Sequence, residues 1–328
     1  MSQIPRRLFL LGAAALCAAR SLPAQAQAPQ LAKVGFLFTP SRTTSQVPAL
    51  FSSAMRDIGW VEGRNLVIEW RFADGRRDRL PELAAHLIQE RVRVIVAPFN
   101  IEAEAARRAT DSIPIVMLVA IDPVGSGFAK SLARPGGNVT GVLYADPEFT
   151  AKSVQILKET VPTMRRLGYL YPAGTVGIQP FLEEMEAAVR ALGLAFYRYP
   201  IDRPEEIAAV LDAIKKDGVD ALRVSYTGPI QAGTAQILQF AASRRIATSF
   251  TVPTAVERGG LMSYSPKLSD NAARAAALVD KLLKRPLPAE LPFEYPTRYE
   301  LVVNLKTAKQ LGITVPQSIL LRADRLIE

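Results

Sequence analysis

From Ala32 onward, short apolar runs rich in β-branched residues alternate with stretches of 3.6-residue periodicity. In the first half this pattern predicts strands over AKVGFLF (32–38), NLVIEWRF (65–72), RVIVAPF (93–99) and IPIVMLVA (113–120), with helices near 47–58, 79–91 and 101–110. It then restarts. RRLGYLYP (165–172), LAFYRYPI (194–201), DALRVSY (220–226) and IATSFTV (246–252) read as strands, separated by helices over 178–192, 204–216 and 230–243. Parallel strands need crossovers and bury both faces, so apolar runs separated by helices predict an α/β chain of two Rossmann-like lobes, each a parallel sheet covered by helices.

In open parallel sheets the ligand lies beyond the carboxyl ends of the strands. The loops there are Phe38-Thr39-Pro40-Ser41, Pro98-Phe99-Asn100, Ala120-Ile121-Asp122-Pro123, Tyr171-Pro172-Ala173-Gly174, Ser225-Tyr226-Thr227 and Phe250-Thr251-Val252-Pro253. They carry hydroxyls, amides, aromatics and one carboxylate, and none sets an acid beside a base. Six such loops converging on one cleft make a binding surface.

The glycine-rich stretch AIDPVGSGFAKSLARPGGNVTGV (120–142) is the strongest punctuation in the chain. Asp122-Pro123 follows an apolar run, and Gly125-Ser126-Gly127 is read as opening a helix over 124–133, whose free N–H groups would suit an anion. Asp122 either contacts ligand or caps that helix. A dinucleotide fingerprint fails because Lys130 stands where the third glycine belongs, and the G-K-[ST] of a P-loop is absent. Pro135-Gly136-Gly137-Asn138 reads as a tight turn leading into a further strand over Val139 to Leu143.

Composition narrows the chemistry. The chain of 328 residues is 49% hydrophobic, 22% charged and only 7% aromatic, with room for two domains. Its first 28 residues look like an export signal: Arg6 and Arg7, an apolar run from Leu8 to Ala19 too short to span a bilayer, and small residues at Ala26 and Ala28. The pattern Arg6-Arg7-x-Phe9-Leu10 points to the twin-arginine route. Cys17, the only cysteine, would leave with that signal, which removes disulfides, thiol catalysis and thiolate metal sites from the mature chain. The only histidine, His86, falls in the helical run LPELAAHLIQERV beside no acidic cluster. The formal charge of +9 drops to +6 without Arg6, Arg7 and Arg20, and the remaining basic residues are scattered pairs without a nucleic-acid recognition motif.

Four phrases carry a family resemblance in order and spacing: IGWVEGRNLVIEWRFADGRRDRLPELAAHLI, DPVGSGFAKSLARPGGNVTGV, GGLMSYSP and PTRYELVVNLKTAKQLGITVP. Together they make the mature chain resemble the ABC-transporter substrate-binding family related to bacterial tryptophan-binding proteins. The resemblance implies a type I periplasmic-binding-protein architecture, closing by a hinge on a small ligand. It also implies chain crossings near 145–150, 260–266 and 290–300. The first lobe would then be 32–148 plus about 262–290, and the second 149–261 plus about 291–328.

Proteins of that shape hold an amino acid or carboxylate with loop hydroxyls and helix N-termini of the first lobe, and with aromatics and an acid of the second. Carried across, this implies Thr39, Asn100 and Asp122 in the first lobe and Tyr171, Tyr226, Phe250 and Tyr264 in the second lobe or hinge, with core packing as the other reading of the four aromatics. Where relatives carry small hydroxyl residues after the third strand, this chain has Phe99-Asn100-Ile101-Glu102. The resemblance implies a monomer in the periplasm that binds a small organic molecule without bond-making, metal or cofactor and delivers it to an ABC permease in the inner membrane. A ligand-sensing module for a signalling receptor and a two-lobe carboxylate or sugar enzyme are the alternatives; a DNA-binding repressor is excluded by the export signal and by the absence of a helix-turn-helix ahead of Ala32.

Overall fold

The strand β1 (Ala32–Phe38) shows why the chain folds in layers. Val34, Phe36 and Phe38 enter one apolar cluster and Leu37 the cluster on the opposite face. β3 (Val94–Val96) and β4 (Ile115–Ala120) divide their side chains between the same two clusters. With both faces buried, these strands must be covered by helices on both sides. A computed structural model of the chain describes residues 31–42, 45–226, 228–285 and 287–328. The export signal read over residues 1–28 lies outside them.

The first sheet has five strands in the order β2-β1-β3-β4-β5, all neighbours parallel, with β2 at Leu66–Phe72 and β5 at Val139–Leu143. Between them run α1 (Val47–Asp57), α2 (Leu80–Gln89) and α3 (Asn100–Ala109). The chain then forms α4 (Phe149–Thr160) and enters a second, seven-stranded sheet in the order β12-β11-β10-β9-β8-β6-β7. Its strands are β6 (Arg166–Pro172), β7 (Ala195–Ile201), β8 (Ala221–Val224), β9 (Ala247–Phe250), β10 (Met262–Pro266), β11 (Tyr299–Asn304) and β12 (Arg325–Ile327). The helices are α5 (Ile178–Ala191), α6 (Ile207–Asp217), α7 (Pro229–Ala232), α8 (Thr234–Arg244), α9 (Pro253–Glu257), α10 (Leu268–Lys284), α11 (Leu305–Leu311) and α12 (Gln317–Arg322).

Several details depart from the sequence pattern. No helix forms over 124–133: Asp122 and Gly127 have φ of 40° and 72°, and the segment winds through turns instead. Positive φ at two points in six residues cannot be carried by a right-handed helix. The expected helix over 230–243 breaks at Gly233, where a β-carbon would stand 1.9 Å from Ile207 Cδ1. The second sheet is not wholly parallel, because β10 and β11 pair antiparallel. Met262 and Ser263 pair with β9 and Met262–Pro266 with β11, so the chain stays in the second sheet up to Pro266, at the end of the crossing expected near 260–266. Phe293 and Glu294 still hydrogen-bond to the first sheet's side, at Leu132 and Gly141.

The excursion between those two points is α10, which returns to the first sheet. Its Ala272, Ala275, Ala276, Val279 and Leu282 are fully buried against β1, β3, β4 and α1, at the spacing of one helical face. Burial of Val279 and Leu282 stabilises that layer by about 1.5–3 kcal/mol each. Where the chain passes between sheets, aromatics from all three passages stack: Phe149 lies 5.4 Å from Tyr264 and 5.1 Å from Tyr299 between ring centroids, and Tyr144 meets Phe149 edge-on at 5.3 Å.

Candidate functional site

Strand order places the site. In the first sheet the order reverses between β1 and β3, and in the second between β6 and β8, so the loops leaving those strands splay apart and leave a crevice at each. The two crevices share one cavity of about 450 Å³. β1 and β3 contribute Phe38, Thr39, Phe99 and Glu102; β6 and β8 contribute Tyr169, Pro172, Ser225 and Tyr226.

The first-lobe wall is aromatic with one acid in it. Phe99 stacks on Phe38 at 6.0 Å and 24°, beside Val47, Leu50 and Val119. Glu102, in the first turn of α3, is 1% exposed. The Thr39 backbone N–H donates to its Oε1 at 2.8 Å, while its Oε2 and the Thr39 hydroxyl are buried without a hydrogen bond. Burial pushes the Glu102 carboxyl above the usual carboxylate range, with the Thr39 contacts opposing that rise. Asn271 of α10 also lines this wall; its Nδ2 donates to the Leu118 carbonyl at 3.0 Å and its Oδ1 has no partner.

A folded-state pKa above the unfolded value means that the native chain holds the extra proton, so this group's stability is intact at low pH and declines as pH rises from the ordinary carboxylate pKa towards the folded one. Glu102→Gln keeps the acceptor for Thr39 and removes the charge. It is expected to raise Tm of the ligand-free protein by a few degrees at pH 8, for about 1–2 kcal/mol, and to leave Tm unchanged at pH 4. Calorimetric melting at the two pH values checks this; an equal shift at both would show that desolvation of the carboxylate is not the cause.

The facing wall carries Tyr169, Phe181 and Tyr226 of the second lobe, with Tyr144 beside them where the chain leaves the first sheet. Tyr226 donates its backbone N–H to Thr251 Oγ1 at 2.9 Å, tying the loop after β8 to the loop after β9. Behind the tyrosines lies Arg223, 1% exposed, whose Nη2 donates to the Tyr144 hydroxyl at 3.3 Å and whose guanidinium lies 5.7 Å from the Phe149 ring centre. Arg223 forms no ion pair among the described residues. Desolvation pushes the Tyr169 phenol well up, so it stays a neutral hydroxyl.

The lobes touch across the cleft. Asn100 Nδ2 donates to the Ile121 carbonyl of its own lobe at 2.6 Å and to the Val176 carbonyl of the other at 2.9 Å, and its Oδ1 accepts from the Ile121 N–H. Arg77 Nη1 donates to the Ala173 carbonyl at 3.2 Å and lies 3.7 Å from Asp202 Oδ1. Gly177, at φ 76°, approaches so closely that a β-carbon there would stand 2.2 Å from Ser126 Oγ.

Of the residues singled out from the sequence, Thr39, Asn100 and Tyr226 line the cavity, with the Asn100 amide committed to the inter-lobe contacts. Asp122 does not line it; its Oδ1 accepts from Gly125 N–H at 2.9 Å and stiffens the turn that stands in place of the expected helix. Tyr171 stacks on Tyr169 at 5.2 Å, Phe250 is fully buried edge-on to Tyr226, and Tyr264 belongs to the aromatic stack between the sheets. Glu102, Phe99, Tyr144 and Tyr169 also belong to the walls, although none of them is among the ligand contacts expected from the sequence. One signal in the sequence points to Glu102: Phe99, Glu102, Ala103 and Ala106 fall at i, i+3, i+4 and i+7, so the acid occupies an apolar stripe. Among the described residues no cluster of three or more metal-ligating side chains occurs.

Comparison with known proteins agrees with this geometry. The family model for ABC transporter substrate binding proteins matches residues 29–327. A tyrosine-binding protein of Clostridioides difficile is 23% identical over 263 residues, which span 80% of this chain and 75% of that one. Among solved structures, an ABC domain in complex with L-Trp from Streptococcus pneumonia is 25% identical, covers 90% of this chain and all of that one, and superposes with a TM-score of 0.84. A conserved domain protein from Vibrio cholerae is 24% identical with the same coverage and TM-score.

Proposed function

Since the chain belongs to the ABC transporter substrate-binding protein family, we propose that it captures an amino acid with a flat aromatic side chain, in the periplasm and as a monomer, and passes it unaltered to the permease of an importer. The observation that carries this reading is the cavity itself: about 450 Å³, set between two strand-order reversals and walled by Phe38, Phe99, Tyr144, Tyr169, Phe181 and Tyr226. An aromatic ring placed among these faces and edges gains offset or edge-on contacts of about 0.5–1.5 kcal/mol each beyond its area burial. The tyrosine and tryptophan attached to the relatives are ligands of this kind. The contacts of Arg77 and Asn100 across the cleft supply a closed form in which the ligand is shut from water and a surface shared by both lobes is presented to the permease.

Thermal-shift screening of the mature protein against the twenty amino acids and benzoate tests the reading. L-tyrosine, L-tryptophan or L-phenylalanine at a hundred times its dissociation constant is expected to stabilise by about 2.7 kcal/mol. The bound compound should be recovered chemically unchanged. No shift with any aromatic amino acid, together with a shift from another class, overturns it.

A further inference from the structure

We propose that the ligand is anchored through a protonated amine held against Glu102, on the wall built by β1 and α3. The proposal rests on the reading of a cleft-bound amino acid and reverses the arrangement that the family resemblance implies, in which the acid stands in the second lobe. Three observations carry it. Glu102 lines the cavity, is 1% exposed, and has one oxygen fixed by Thr39 N–H at 2.8 Å and the other buried without a hydrogen bond. No Lys, Arg or His among the described residues pairs with it. The other cations on the cavity lining lie elsewhere: Arg77 is engaged by Asp202 and the Ala173 carbonyl, Arg258 is exposed at the rim, and Lys267 precedes α10.

The same wall holds two more oxygens without hydrogen bonds, Thr39 Oγ1 and Asn271 Oδ1. Of these, Glu102 Oε2 and Asn271 Oδ1 can only accept while the Thr39 hydroxyl can donate or accept, and a buried carboxylate without a counter-charge is costly. An ammonium brings three N–H donors and a positive charge, which matches that deficit in number and in sign. A ligand bearing only a carboxylate would add acceptors to a wall already short of donors.

Titration calorimetry with two matched probe pairs tests the assignment: L-tyrosine against 3-(4-hydroxyphenyl)propionate, and L-tryptophan against indole-3-propionate. Each pair differs by the amine alone. The wild-type protein is expected to bind the amino acids at least about 30-fold more tightly than the deaminated acids. Glu102→Gln is expected to weaken the amino acids by a similar factor while leaving the deaminated acids unchanged or tighter, and Glu102→Asp is expected to recover part of the loss. Circular dichroism and melting of each variant confirm that the fold is retained. Equal affinity of wild type for both members of a pair, or an equal loss for both in Glu102→Gln, overturns the amine assignment and leaves the aromatic ligand intact. Binding of neither member of either pair by the wild type removes the aromatic amino-acid reading together with the assignment.

Discussion

Gly177→Val is expected to weaken capture of the proposed aromatic amino acid by about 10- to 100-fold, as read by calorimetry. The reason is steric and confined to the closed form. A β-carbon at 177 would stand 2.2 Å from Ser126 Oγ and 3.0 Å from the Ile121 carbonyl oxygen, both on the opposite lobe. Relieving such an overlap costs roughly 1–3 kcal/mol, and each 1.4 kcal/mol is tenfold in affinity. Because Gly177 also takes φ 76°, a branched side chain adds strain of about 1–3 kcal/mol that is present with or without ligand. The two effects separate: the strain lowers Tm of the free protein, while the overlap lowers affinity. Affinity within twofold of wild type would mean that ligand is held without these loops meeting.

The largest loss of stability is expected from Phe149→Ala, at about 3–5 kcal/mol. Phe149 is 1% exposed at the point where all three passages between the sheets meet, stacked on Tyr264 and Tyr299, edge-on to Tyr144, and facing the Arg223 guanidinium. Truncation removes a large buried ring and strips the buried cation of its aromatic partner. Urea unfolding followed by circular dichroism gives the value; a loss below about 1 kcal/mol would show that the surrounding rings collapse into the space.

Period alone was enough for most of the framework. β1 runs over the residues that the apolar run and its flanking polar breaks mark, β5 over those that follow the turn at 135–138, and α1, α3 and α5 begin within one residue of where 3.6 periodicity begins. What periodicity cannot see is contact between distant segments. Glu102 is buried because Thr39, 63 residues earlier, turns its N–H onto it. Tyr171 and Phe250 look like loop aromatics in sequence, yet in their strands they pack on Tyr169 and Tyr226, which reach the cavity instead. The stretch around Asp122 reads as a helix start because Asp-Pro followed by glycine is also how helices begin; only its backbone angles distinguish a run of turns. The helix α4 follows the crossing expected near 145–150, over residues to which the pattern assigns no element.

The late return of α10 to the first sheet governs how the chain can mature. The strands it covers are all complete by residue 143, but the layer stays bare along one side until residues 268–284 have been made and have returned to the first sheet. A nascent chain stopped at Pro266 would leave Val34, Val94 and Val116 without the helix that shields them, an adhesive surface in a crowded compartment. The first sheet therefore completes its core only with residues that follow most of the second sheet in the chain.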